Sequence, residues 1–538
     1  MIEMKLPEPI ASELPVDYAD RLAAWYSSQS KVEDRKSLGQ YMTPAGVARF
    51  MAAQIVSTRE TVRLLDPGAG TGILTCALCE RLVGKNSKVR KIDAVAYELH
   101  PPMALVLHKS LKYLETFLAG RNIQLSFKIE IADFVLSQAS ALNVESPTLF
   151  GGGRAEPFDV VIANPPYFKI AKSDPRAQAA SAVVYGQPNI YGLFMAVSAS
   201  LLREKGQLIF ITPRSFASGP YFQRFREWFF ARMQPHSIHV FGSRRATFRR
   251  DEVLQENVIL AARRKRNWSV RPIRSQQVTI STSEGMSDLR HPSKSRVPLS
   301  QILVQNSHGI VLRIPDISES ETVREIVDCW QGSLATYGLW ISTGPVVPFR
   351  ATDLLSDSGD IMTSHAPLLW MQHVDTMSVT WPLLHVRKPQ FIKNGPVARK
   401  LLVRNDNYVL IRRFSAKEQH RRLTAAPYER GTLHGEALGL ENHLNYLYRP
   451  HGSLSPEETW GLAALFNSFL LDAYFRSING NTQVSATELR HMPLPSLDII
   501  REIGRRARKA SELQHVDELI EEVLHDRRIH SLRDKPHD

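Results

Sequence analysis

Between about residue 60 and residue 265 the chain alternates short apolar runs with stretches of helical period. VRLLDPG (62–68), DAVAYEL (93–99), FKIEIAD (127–133), FDVVIAN (158–164) and GQLIFITP (206–213) read as strands buried on both faces. ILTCALCERLV and IYGLFMAVSASLLR repeat their apolar positions every three to four residues and read as helices between them. Such alternation predicts an α/β fold, a mostly parallel sheet covered by helices on both sides. VLQENVILAARRK predicts one further strand near the end of that sheet.

The pattern divides the rest of the chain. Residues 1–35 read as an N-terminal helical segment and 36–265 as the domain built on the sheet. The polar, basic stretch 266–300 reads as a linker. From 301 to 500 short strands, many prolines and a helix at ETWGLAALFNSFLLDAYF predict a mixed α+β domain. Residues 501–538 read as a charged, solvated tail.

Composition narrows the function classes. At 538 residues the chain is too long for one core, so more than one domain is expected. No apolar run reaches membrane-spanning length, and the first residues lack the pattern of a signal peptide, so no membrane partner is expected. Three cysteines cannot form a disulfide framework, which makes a reducing cytoplasm the expected compartment. Cys76 and Cys79 form a CxxC inside a buried-helix pattern, and no second ligand pair completes a metal site; no metal is expected. A net charge of +13 favours a polyanionic partner.

The candidate chemistry lies at the ends of the predicted strands. In LLDPGAGTGIL, Asp66, Gly68, Gly70 and Gly72 occupy a strand-to-helix junction where glycines let the backbone turn sharply and approach a ligand. Glu98 ends the next strand, where a carboxylate can accept bonds from two ribose hydroxyls. Asp133 ends the third and precedes Phe134, a pair able to bind an adenine amino group and cover its ring. The first acid lies too far on, and the glycine spacing is wrong, for a dinucleotide fingerprint; no lysine follows the glycines as a P-loop would require.

The fourth strand ends in Asn164-Pro165-Pro166-Tyr167. An exocyclic ring amine is a poor nucleophile because its lone pair is delocalised. Acceptors on its two hydrogens would draw it toward an attacking geometry and stabilise the charge that develops as carbon arrives. Asn164 offers a side-chain carbonyl and Pro165 a main-chain one. Pro166 removes another donor and locks φ, and Tyr167 offers a face for a base. An amide cannot act as a general base at neutral pH, so the scheme is orientation and electrostatics.

These motifs, in this order, resemble the gamma-class N6-adenine DNA methyltransferases of the TaqI type, and among them the PstI/BsuBI modification methylase group. The resemblance covers most of the chain, with GQYMTP (39–44), DPGAGTG, AYEL, IADF and NPPY matching successive family motifs. It implies a Rossmann-like catalytic domain that uses S-adenosylmethionine, followed by a target-recognition domain. It places Thr43 and Pro44 at the methionine end of the cofactor beside Gly68 and Gly70, Glu98 at the ribose, and Asp133 and Phe134 at the adenine. Asn164, Pro165 and Tyr167 meet the target base, and Phe216 of ITPRSF stacks on its other face. It also implies a restriction-modification setting with a separately encoded endonuclease, and makes a CTGCAG-like palindrome the first site to test.

STGPVVPFR (342–350), IRRFSAKEQHRRL (411–423) and NGNTQVSATELRHMPLP (479–495) resemble blocks of the same group. Their residue types suit duplex DNA: Arg412, Arg413, Lys417, Arg421 and Arg422 form a basic cluster, and Arg476, Asn479, Asn481, Thr482 and Gln483 a polar one. RRATFRR (244–250) and RRKR (263–266) read as phosphate contacts or plain surface. Chemistry at adenine N6 would require the base to leave the stack. Two other readings stay open: a methyltransferase acting on RNA or protein glutamine, and a DNA-binding relative without activity.

Overall fold

Every residue of the strand Phe158–Ala163 is buried, and Val161, Ile162 and Ala163 are wholly so. Burial of this kind contributes about 1.5–3 kcal/mol per large aliphatic side chain and sets this strand at the centre of a sheet. In the computed structural model it lies in a nine-stranded sheet made of β1 (Thr61–Asp66), β2 (Lys91–Tyr97), β3 (Gln124–Glu130), β4 (Phe158–Ala163), β5 (Leu202–Pro213), β6 (Met233–Phe241), β7 (Asn257–Arg264), β8 (Gln277–Ser283) and β9 (Ser293–Pro298). Their order is β3-β2-β1-β4-β5-β7-β6-β8-β9. The structure describes residues 6–29, 42–55, 59–83, 87–143, 156–218, 220–241, 257–265, 276–286, 288–306, 309–314, 326–327, 329–361, 364–384, 387–415, 419–478, 483–509 and 516–533.

From β3 to β5 all neighbours are parallel. β7 then runs antiparallel between β5 and β6. β1 pairs with β2 on one side and β4 on the other, so the connections diverge there, and the carboxyl ends of β1 and β4 frame a crevice where α/β sheets receive ligands. Apolar helices cover the faces: Ile73–Leu82 and Pro101–Ala119 contribute to one core, Ile190–Leu201 to the other. Cys76 and Cys79 are wholly buried in the first of these helices, and burial pushes the Cys76 thiol up to about 12. The N-terminal helix Pro15–Gln29 is joined to the same layer: Val16 N–H donates to Glu80 at 2.8 Å and Arg49 pairs with Asp17 at 2.8 Å.

Four expectations are corrected. β3 is the edge of the sheet, and Gln124 and Ser126 are exposed beside buried Leu125, so it is not buried on both faces. The described part of the supposed linker 266–300 carries two strands of the sheet, β8 and β9. Its polar residues alternate with Val278 and Ile280, which are wholly buried, the pattern of a strand with one apolar face. The first compact unit accordingly runs to Ile317, past a hairpin of 303–306 and 309–312. Arg226 Nε donates to Ile310 O at 2.5 Å and Arg214 to Ile314 O at 2.6 Å, tying that extension to the domain.

The second unit, Ser318–Asp538, contains a four-stranded antiparallel sheet in the order 340–343, 444–448, 408–412, 425–428. A five-stranded mixed sheet is built from 355–356, 391–393, 365–369, 437–440 and 402–404. The expected single helix over 458–475 is two, Pro456–Asn467 and Phe469–Ile478, broken at Ser468, whose ψ of 153° is extended. The fourth correction concerns the tail. Helix Leu497–Lys509 buries Ile500, Ile503, Gly504 and Ala507 on one stripe against Pro456–Asn467. Contact is close enough that a Cβ on Gly504 would lie 1.8 Å from Glu457 O and one on Gly461 1.9 Å from Ile500 O. Among the described residues no helix is long and apolar enough to cross a membrane.

Candidate active site

The loops at the carboxyl ends of β1 to β4 converge on one pocket of about 250 Å³ in the first unit. Gly68, Gly70, Glu98, Asp133, Phe134 and Asn164 all line it, although they are spread over four loops. The glycine turn needs its glycines for different reasons. Gly70 has φ +53° and Gly72 φ +81°, left-handed values, and a Cβ on Gly72 would meet Leu107 Cδ1 at 2.8 Å. A Cβ on Gly68 would meet Phe194 Cε1 at 3.6 Å, an ordinary contact, so a side chain there would fit but fill the cradle.

Glu98 holds the turn. Its Oε2 accepts the Gly70 N–H at 3.0 Å and its Oε1 the His100 N–H at 2.9 Å. Burial raises its carboxyl while those amides favour the charge. Asp133 caps the short helix Phe134–Gln138, accepting the Leu136 N–H at 3.0 Å, and lies 3.8 Å from Arg176. Phe134 is 5.2 Å from both Tyr97 and Phe194, ring to ring, and forms an aromatic wall. Asp66 is placed differently. It is wholly buried beneath the turn and accepts Thr75 Oγ1 at 2.8 Å. Its Oδ1 has no hydrogen-bond partner of good geometry, although the Gly68 and Thr75 amides lie near enough to favour its charge. Desolvation pushes this carboxyl up to about 7.

The amide end of the site is a relay. Asn164 Nδ2 donates to Thr43 Oγ1 at 3.0 Å, and Asn164 Oδ1 accepts the Tyr167 hydroxyl. Tyr167 also lies 3.0 Å from Ile211 O of β5. Thr43 thus meets the Asn164 amide, Met42 lines the pocket, and Pro44 opens the helix Ala45–Ala53. Pro165 is buried and Pro166 lines the pocket.

Two expected stacking faces are absent. Phe216 is wholly buried with its ring 6.3 Å from Phe225, and Tyr167 is 6% exposed within the core beside Tyr191. Both belong to apolar packing, which a motif read without depth information cannot separate from a ring left open. The pocket also contains Phe168, Arg176, Ile190 and Phe194, which the sequence did not single out. Arg176 had a signal: with Asp174-Pro175 it opens a short capped helix after NPPY.

In the second unit most basic residues expected at DNA are tied into the fold. Arg422 is 1% exposed, its guanidinium 5.3 Å from the Phe475 ring. Asp472 accepts the Arg422 and Leu423 N–H groups at 2.6 and 2.9 Å and is itself held by Arg476 at 2.7 Å. Arg421 pairs with Asp517 at 2.5 Å, and Arg412 donates to Val374 O at 2.5 Å. Arg422 therefore cannot reach a base, because burying a guanidinium requires spending its donors inside. Gln483 is exposed and Arg413 partly so. Lys417, Asn479, Asn481, Thr482 and the segment 244–250 lie outside the described residues.

Residues 104–248, which run through the sheet and contribute Asp133, Phe134 and Asn164 to this pocket, match the Eco57I restriction-modification methylase family. Two curated relatives match over nearly their whole length. M.PstI of Providencia stuartii is 31% identical over 91% of this chain and 93% of its own, and M.BsuBI of Bacillus subtilis 32% over 88% and 91%. The chain belongs to their family, the type II methyltransferases. M.AccI of Acinetobacter calcoaceticus is 23% identical over 36% of this chain and 32% of its own.

Proposed function

We propose that the protein transfers a methyl group from S-adenosylmethionine to N6 of an adenine flipped out of duplex DNA, as the modification enzyme of a restriction-modification system. The observation that carries the reading is the Asn164 carboxamide in the wall of the same pocket as Gly68, Gly70, Glu98 and Asp133.

The pocket residues fit a sulfonium nucleoside. Asp133 would accept an adenine amino group, Phe134 would cover the ring, Glu98 would take ribose hydroxyls, and the Gly68–Gly70 cradle would receive the amino-acid end. When bound, that cofactor supplies an electrophilic methyl. Asn164 Oδ1 and the Pro165 carbonyl would accept the two N6 hydrogens, so the amine presents its lone pair in line with the carbon. Transfer would form the N–C bond at the expense of the cofactor's S–C bond, and one N6 proton would leave to water, because no amide can take it.

Tyr167 has one hydroxyl proton and two acceptors in reach, Asn164 Oδ1 and Ile211 O. Donation to Ile211 O would release Asn164 Oδ1 for the target amine, while Thr43 keeps the amide in place. Duplex DNA is the proposed partner, with the endonuclease encoded separately. Asn164→Ala should abolish methyl transfer to host DNA, a loss of at least about a hundredfold, with cofactor affinity retained. Methylation by that variant at the wild-type rate would remove the mechanism.

A further inference from the structure

Three blocks far apart in sequence meet at one end of the four-stranded sheet of the second unit. Phe414 bridges to Gln483, and Val484 N–H donates to Arg413 O at 2.7 Å. Asn445, wholly buried, accepts Thr343 Oγ1 at 3.0 Å and donates to Val484 O at 2.8 Å. They meet beside a turn, Glu441–Leu444, that none of the sequence motifs includes.

The turn presents one histidine. Glu441 is 1% exposed, and its carboxylate accepts both the His443 backbone N–H at 3.1 Å and the His443 Nδ1–H. Arg413 locks the turn, its N–H on His443 O and its guanidinium on Asn442 O, each at 2.9 Å. The Phe414 ring lies 4.9 Å from the imidazole and fixes its plane. The His443 side chain is nevertheless 45% exposed, and among the described residues its Nε2 has no hydrogen-bond partner.

Histidines that serve only packing look different here. His239 spends both nitrogens, on Ser281 at 2.9 Å and Ser283 at 3.1 Å. His373 does the same with Trp370 N–H at 2.7 Å and Gln390 at 2.8 Å. Burying a carboxylate is costly, and at 441 its main effect is to aim one imidazole and fix its proton on Nδ1. In the neutral ring that leaves Nε2 as a rigid acceptor. An acceptor in the major groove pairs with an exocyclic amine, adenine N6 or cytosine N4.

We propose that His443 reads one base of the recognition site through Nε2, with Glu441 as its positioning residue. This rests on the proposed function. The test is sequencing of host DNA for methylated bases after expression of the wild type, His443→Ala, His443→Gln and the double variant Glu441→Gln/His443→Ala. The double variant removes the stranded buried charge that His443→Ala leaves behind, so a folding defect is distinguished by its melting temperature.

The expected result is a motif relaxed at one position in both alanine variants, with discrimination there falling about tenfold. His443→Gln, which places an oxygen near the Nε2 position, should recover part of it. An unchanged motif in the stably folded double variant overturns the inference, whether overall methylation is unchanged or uniformly lower, the latter being the mark of a phosphate contact. Absence of methylated DNA with the wild type would instead overturn the proposed function on which it stands.

Discussion

Replacing Glu98 by Gln probes the join between the glycine turn and the pocket. The carboxylate serves two backbone donors, Gly70 N–H at 3.0 Å and His100 N–H at 2.9 Å, one on each oxygen. Glutamine has one acceptor oxygen, so its amide nitrogen must face one of these donors. A buried donor left without an acceptor costs about 1–3 kcal/mol, and the remaining bond loses its charge assistance. Taking about 2 kcal/mol as the central value, cofactor affinity should fall roughly thirtyfold if the same oxygens also hold the ribose. Titration calorimetry with S-adenosylmethionine measures this directly, and thermal melting of the free protein separates a weakened fold. A lower melting temperature with unchanged affinity would mean that Glu98 serves only the turn. Affinity within about twofold of wild type and an unchanged melting temperature would refute the whole assignment.

Other consequences concern burial. Asp66 has its carboxyl raised from 3.8 to about 7 by desolvation. The native state therefore holds that proton to higher pH than the unfolded chain, and ionisation burdens the fold as pH rises through this window. Wild-type urea stability should fall between about pH 4 and about pH 7 by more than that of Asp66→Asn; parallel profiles would contradict the burial argument. Gly504→Ala must push two helices apart where a Cβ would sit 1.8 Å from Glu457 O. It should cost more than about 2 kcal/mol in denaturant unfolding, and an unchanged midpoint would show the helices are not in contact.

How far the site was readable depended on whether a residue's role is written in its neighbours along the chain. Glu98, Asp133 and Asn164 each follow a strand-forming run, and strands that run parallel in one sheet bring their ends to one edge, so order along the chain already implied a common pocket. Gly70 and Gly72 were equally legible, since a turn after a strand calls for left-handed φ. Asp66 has the same local setting, yet it is buried beneath the turn.

What local pattern could not supply was depth. Arg422, Phe216 and Tyr167 have the residue types of a DNA surface, but partners distant in sequence bury them. The strand Gln277–Ser283 and the helix Leu497–Lys509 failed the opposite way, polar overall yet carrying a narrow apolar stripe that only a packed neighbour makes meaningful. The Glu441–His443 pair is invisible in the same sense: two common residues, two positions apart, become a single aimed acceptor only when the sheet buries one of them. Alternation along the chain was enough to set the strands whose ends form the pocket, and the residues at those ends pointed to the class of chemistry. Which charged and aromatic side chains face solvent was decided by the tertiary structure, because burial is a property of what packs against a residue and not of the residue itself.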